Sequence, residues 1–220
     1  TDSLDTPTTR GRTAFDSILS DFRTGNTDIL IGTQMVSKGL DFDRVKVVGI
    51  LNADTAMNIP DFRSYERAYQ MMSQVAGRAG RRSTQGIVIL QTSQPESELI
   101  DQVVRNDYSA MYKAQMQERQ LFMFPPYCRL IYAFIRNRFA NRADDAARSL
   151  CCKLQAVFGD NMLGPASPPV ARVKLEYIRQ VMLKVPPTAS PVKVREFLRR
   201  CAEEVRREYR VNIYFDADPL

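Results

Sequence analysis

Short apolar, β-branched runs alternate with amphipathic stretches through the first hundred residues, and that alternation restricts the fold more than any other feature of the chain. Asp28-Ile29-Leu30-Ile31-Gly32, Val45-Lys46-Val47-Val48-Gly49-Ile50-Leu51 and Ile87-Val88-Ile89-Leu90-Gln91 have the look of strands buried on both faces. Between and before them, residues 11–23 and 64–76 carry apolar side chains at helical spacing; Ala14, Phe15, Ile18, Leu19 and Phe22 line one face of the first. Strand and helix in alternation predict an α/β parallel sheet with flanking helices. In such sheets chemistry gathers at the strand ends.

Residues 96–120 read as one or two helices rich in Gln, Glu and Met, closed by Phe122-Met123-Phe124-Pro125-Pro126, where two prolines stop any helix. A domain boundary is placed there, dividing the chain into residues 1–125 and 126–220. The second part predicts a strand at 129–136 and a helix at 142–158 burying Ala143, Ala146, Ala147, Leu150, Leu154 and Val157. A Gly-Pro-rich loop follows at 164–169, then extended segments from Val170 to Val185, a helix at 191–207 and a strand at 211–215. This order suggests a small two-layer α+β domain of the split βαβ type.

Lys and Arg number 31 against 25 Asp and Glu, and with no histidine the net charge is +6. A polyanionic partner is compatible with this excess but is not established by it. No apolar run is long enough to cross a bilayer and no secretory signal opens the chain, so a cytoplasmic protein with no membrane partner is expected. The four cysteines, Cys128, Cys151, Cys152 and Cys201, form no CxxC pair; buried reduced thiols are expected rather than a metal site.

Two segments carry chemistry. Gln74-Val75-Ala76-Gly77-Arg78-Ala79-Gly80-Arg81 ends a predicted helix; if the helix continues, Gln74, Arg78 and Arg81 project from one face. Gly77 and Gly80 remove side chains between them and permit close approach. Paired guanidiniums suit the oxygens of a phosphoryl group in transfer, although a solvated basic helix end is the plainer alternative. Gly32-Thr33-Gln34-Met35-Val36-Ser37-Lys38-Gly39-Leu40-Asp41-Phe42 follows a strand and offers hydroxyls, amides and a lysine to a phosphate, without the GxxxxGK[ST] spacing of a Walker A loop. An ordinary strand-to-helix turn is the alternative there.

Together these segments resemble motifs V and VI of superfamily 2 helicases. Leu51-Asn52-Ala53-Asp54 and Pro60-Asp61-Phe62-Arg63-Ser64-Tyr65-Glu66-Arg67 between them, with the terminal Asp216-Ala217-Asp218-Pro219, resemble the PriA (primosomal protein N′) family of replication-restart helicases in particular. The resemblance implies the C-terminal portion of an ATP-dependent 3′-to-5′ DNA helicase that recognises stalled or branched forks and helps reload the replicative helicase. It implies part of a RecA-like helicase lobe 2 followed by an S10-like DNA-recognition domain. Arg78 and Arg81 would be arginine fingers and Gln74 a coupling residue. Gly39, Asp41 and Gly77 would serve ATP binding or coupling, and Thr33 and Lys38 the single strand. ATP and Mg²⁺ would be held chiefly by a first lobe, and zinc by an inserted module, neither of which these residues contain; the chain alone is expected to be inactive and to hold no metal. Implied partners are branched and single-stranded DNA, single-strand-binding protein and primosome or helicase-loading proteins, with the protein a monomer. Asp54, Asp61 and Arg63 match the family pattern either as internal salt bridges or as DNA contacts.

Arg199 and Arg200, on the basic helix at 191–207 with Arg172, Lys174, Arg179 and Lys184 before it, are the candidate phosphate contacts of the second domain; interspersed glutamates leave a solvated face as the alternative. Tyr127, Tyr132, Phe134, Tyr177 and Tyr214 either stack on bases or pack within strands. A non-catalytic nucleic-acid or protein docking module is the second reading of the whole chain.

Overall fold

The computed structural model describes residues 2–4, 12–33, 45–79 and 86–218, which fall into two compact units, Thr1–Gln115 and Met116–Leu220. The division runs through a helix, Tyr108–Leu121, about ten residues before Pro125-Pro126.

In the first unit, β1 (Asp2–Leu4) and β2 (Leu30–Gly32) pair in parallel around α1 (Arg12–Thr24). The helix closes on Gly25, whose φ of 87° lets its amide and that of Asn26 both reach the Asp21 carbonyl; a left-handed residue at this position is the common way to end a helix. β3 (Val47–Ile50) and β4 (Ile87–Leu90) form a second parallel pair, connected through α2 (Asp54–Met57) and α3 (Ser64–Ala76). α4 (Glu98–Val104) and α5 (Tyr108–Leu121) follow. The core here is Ile50, Ala53, Met57, Ala68, Tyr69, Met72, Leu99, Ile100 and Met111. α3 contributes Ala68, Tyr69 and Met72 at the spacing that makes one helical stripe.

The apolar runs are parallel strands, but they are not buried on both faces. Val47 is 55% exposed, Ile87 58% and Ile89 59%; only the C-terminal ends of β3 and β4, Ile50 and Leu90, join the core. β-branched composition marks strands that fully covered sheets require, and the described residues cover one face of these.

The second unit runs β5 (Arg129–Asn137), α6 (Ala140–Phe158), a 3₁₀ turn (Gly159–Asn161), β6 (Met162–Ala166), β7 (Arg172–Val173), β8 (Glu176–Val185), α7 (Pro191–Tyr209) and β9 (Asn212–Ala217). The sheet order is β6-β8-β5-β9, antiparallel throughout, with β7 pairing β8. This is the split βαβ arrangement: β5 and β6 are joined across α6 and β8 lies between them, so that β5 and β8 are the central neighbours. Both helices pack on one face, where Ala133, Ile135, Val181, Leu183 and Ile213 meet Leu150, Leu154, Leu198 and Val205. Pro191 sits at the first turn of α7, where its missing N–H costs nothing. Arg179, on the helix side of β8, grips Asp144 of α6 at 2.5 and 3.1 Å, and Lys153 of α6 meets Glu204 of α7 at 2.7 Å.

Three details depart from the sequence reading. Val157 is 62% exposed and Phe158 takes its place in the core, one residue further round the helix. Cys152 is exposed, while Cys128, Cys151 and Cys201 are buried and all four are free; burial pushes the Cys151 thiol up to about 11. Part of the segment read as a Gly-Pro loop is strand β6. It lies at the sheet edge, where proline's missing donor faces away from the ladder, and its register shifts between Leu163 and Ala166 as a bulge does. Gly164 has φ +120° and a Cβ there would lie 2.9 Å from the Gln180 carbonyl oxygen. Gly164→Ala is therefore expected to destabilise the second unit by about 1–3 kcal/mol, read as a lowered thermal midpoint; an unchanged midpoint would show that the edge strand relaxes away.

Candidate functional site

The C-terminal end of α3 carries the strongest motif, and the residues before it form a frame that sets where that helix lies. β3 ends at Ile50, and the chain turns through Asn52, at φ 54°, into Asp54. The Asp54 carboxylate accepts hydrogen bonds from Thr92 Oγ1 at 2.5 Å, from the Ser93 amide at 2.8 Å and from Ser93 Oγ at 2.6 Å. It thereby latches the loop after β3 to the loop after β4. Hydrogen bonds from Ser93 Oγ, then Thr92, then the Ser93 amide hold its pKa below the ordinary 3.8.

A depressed carboxylate pKa adds stability above the unfolded value and loses it as pH falls through the folded one. Asp54→Asn is accordingly expected to melt earlier than the parent chain at neutral pH, with the gap closing below pH 3.8; a gap constant with pH would mean that the charge contributes nothing.

Asp61 makes the next joint. Its side chain accepts from the Arg63 amide at 2.8 Å and pairs with the Arg67 guanidinium at 3.1 Å, while its carbonyl receives the Ser64 amide. Together these define the first turn of α3. The Arg63 guanidinium lies 4.4 Å above the Phe62 ring. Asp54, Asp61, Arg63 and Arg67 are thus engaged within the unit, which is the internal-contact alternative for the pattern they form.

At its far end α3 stops at Ala76 and does not continue as an α-helix. Arg78 and Ala79 donate to the carbonyls three residues back, Val75 and Ala76, a tightening common at helix ends. Gln74 is exposed on the last full turn and Arg78 is half-buried in the closing one. Gly77 keeps φ −64°, and a Cβ there would come no closer than 3.4 Å to the Ser73 carbonyl oxygen, so nothing within the helix demands glycine. Thr33 is exposed just past β2. Gly39, Asp41, Lys38 and Arg81 lie outside the described residues.

In the second unit Arg199 and Arg200 are exposed on α7, with the Arg200 guanidinium 5.6 Å above the Phe197 ring. Arg195, Arg199 and Arg129 line a cleft of about 380 Å³ over Val194, Leu198 and Phe215. Arg129, unmarked by any motif, donates to the Ala189 carbonyl; no sequence signal placed it beside α7. Other cations named from the sequence serve the fold. Arg179 holds Asp144, Lys184 donates to the Phe122 carbonyl at 2.6 Å, the Arg172 guanidinium lies over the Tyr177 ring, and Arg206 donates to the Ile213 carbonyl.

Among the described residues no group of three His, Cys, Asp or Glu side chains is arranged to hold a metal ion, and no helix is long and apolar enough to cross a membrane.

Comparison with known proteins accounts for both units. A family profile described as helicase conserved C-terminal domain matches residues 10–83, and one described as primosomal protein N C-terminal domain matches residues 120–220. The replication restart protein PriA of Bacillus subtilis (strain 168) is 37% identical over 221 residues, covering 98% of this chain and 27% of the relative. PriA of Treponema pallidum (strain Nichols) is 38% identical over 204 residues, covering 92% and 31%, and PriA of Synechocystis is 34% identical over 220 residues, covering 99% and 26%. The chain therefore spans about a quarter to a third of the length of these relatives. Since the helicase profile takes in both motif segments and the PriA likeness runs almost the whole length of the chain, it belongs to the PriA family of replication restart proteins.

Proposed function

We propose that these residues serve an ATP-dependent 3′-to-5′ DNA helicase that recognises stalled or branched forks and restarts replication by helping reload the replicative helicase. The observation that carries this reading is the helicase C-terminal profile over residues 10–83, which contains both Thr33 to Phe42 and Gln74 to Arg81 in the order of motifs V and VI.

In this reading the first unit is part of a RecA-like second lobe. Arg78 and Arg81 present guanidiniums to the γ-phosphoryl oxygens of ATP, where charge develops during transfer and fixed cations stabilise it. Gln74, one turn before Arg78, couples nucleotide state to lobe closure. Gly39, Asp41 and Gly77 line the nucleotide side, and Thr33 and Lys38 hold a phosphate of the single strand. The half-buried setting of Arg78 supports its role, because a guanidinium with restricted freedom loses little entropy on binding. Asp54 and Asp61 are positioning residues that set α3. Mg²⁺ with the β- and γ-phosphates, and zinc, fall to groups outside these 220 residues, which contain no GxxxxGK[ST] loop. Residues 126–220 are an S10-like DNA-recognition domain, supported by the split βαβ sheet and by the exposed cations of α7. Single-strand-binding protein and helicase-loading proteins are its proposed protein partners, in a cytoplasmic monomer.

The 220-residue chain alone is expected to bind DNA and to show no ATP turnover, with or without forked DNA. Turnover that survives purification and is stimulated by DNA would overturn the division of labour; absence of any DNA binding would favour a protein docking module.

A further inference from the structure

The sheet of the second unit has one face against α6 and α7; on the other face Leu130 and Ile178 are buried, while the partly exposed residues between them are unusual. An antiparallel sheet covered on one side normally alternates apolar inward and polar outward. Along β5 the outward positions instead read Leu130, Tyr132, Phe134 and Arg136, between the inward Ile131, Ala133 and Ile135. The register extends this row sideways. Tyr132 stands beside Met182 on β8, which stands beside Leu163 on β6, and Phe134 stands between Gln180 and Tyr214 on β9.

The rings form one ladder. Tyr132 and Phe134 are 6.0 Å apart at 15°, Phe134 and Tyr214 are 5.0 Å apart at 21°, and all three rings are only partly buried. Arg136 closes one end: its guanidinium lies 4.9 Å over Tyr214 and donates to the Tyr214 hydroxyl at 2.6 Å. Its Nε, though buried, has no hydrogen-bond partner, an uncommon state for such a donor.

We infer that this face is a stacking platform for unpaired bases of single-stranded DNA. Bases are flat and apolar on their faces and carry acceptors on their edges, which matches near-parallel rings beside the Gln180 and Asn212 amides. Arg136 at one end of the row suits a polyanion, while the Asp216 carboxylate beside Tyr132 disfavours a phosphate at the centre, leaving that position to bases. The five residues from Tyr132 to Arg136 span about 14 Å and Tyr214 extends the row onto β9, room for the two or three bases that a sheet of this kind stacks in RNA-binding domains. The inference rests on the reading of the chain as a DNA-handling protein, and it adds a contact separate from the cations of α7.

The test titrates the 220-residue chain with a fluorescent oligothymidylate and with an abasic oligomer of equal length and phosphate number. Thymidylate is expected to bind at least about tenfold tighter. Phe134→Ala and Tyr214→Ala should weaken thymidylate binding about five- to a hundredfold, the range for losing a stacked base, and leave abasic binding unchanged. If either variant loses its cooperative thermal transition, Phe134→Leu and Tyr132→Leu, which keep apolar bulk without a ring, take its place with the same expectation. Equal affinity for the two oligomers, or variants that bind thymidylate normally, would overturn the platform alone and point to a protein covering this face. Failure to bind either oligomer would overturn the DNA reading as well.

Discussion

In a protein of the relatives' full length that carries this chain, Arg78→Ala is expected to lower DNA-stimulated ATP hydrolysis by about a thousandfold, the size typical of a lost arginine finger, while DNA affinity stays nearly unchanged. A large effect is expected because, in the proposed reading, the guanidinium acts where charge develops in the transition state. Arg81→Ala is expected to behave alike. Arg78→Lys should recover only part of the activity, since a point charge does not reproduce a planar fork. Because Arg78 sits on a closing turn whose backbone is held by the Val75 carbonyl, removing its side chain leaves the helix in place, and a folding defect is not expected. A variant with normal hydrolysis and poor DNA binding would transfer these arginines to the phosphate backbone and favour the docking reading.

The second large effect is expected on α7. Reversing both exposed cations, Arg199→Glu with Arg200→Glu, should weaken binding of forked and plain duplex DNA alike by about tenfold or more and flatten the salt dependence by about two counterions. Both side chains are exposed, and Leu198, Cys201 and Ala202 beside them hold the helix to its core, so the fold should survive. Equal losses on both DNAs follow because phosphate contacts carry no sequence or shape information of their own. Unchanged affinity would mean a solvated face, and a loss confined to forks would mean a contact more particular than charge. The ring variants on the opposite face of the sheet provide the contrast: they should alter binding of bases without altering the salt slope.

How much of this was legible in the residues depends on the range of the interaction. α3, α6 and α7 were readable because helical hydrogen bonds and side-chain faces repeat every three or four residues, so a short window contains its own evidence. The arginine and glycine spacing at 74–81 was readable for the same reason, although whether the helix ran on to Arg81 was not: it stops at Ala76, and nothing local to Gly77 requires the stop. Edge strand β6 was hidden because Gly164 and Pro165 look like a loop, and only pairing with β8 makes them a strand.

The sequence by itself determined the order of most elements and the arginine and glycine spacing of residues 74–81, whereas the two units divide about ten residues before Pro125-Pro126. Tertiary structure alone decided which residues meet across long intervals: Asp54 with Ser93, Arg179 with Asp144, Phe134 with Tyr214. It alone decided that Arg179 and Lys184 brace the fold while Arg199 and Arg200 remain exposed, and that the described residues cover the strands β3 and β4 on one side. The reason is physical: periodicity reports which side of an element is apolar, but what lies against that side is set by chain closure and sheet register, and neither is written in any local window.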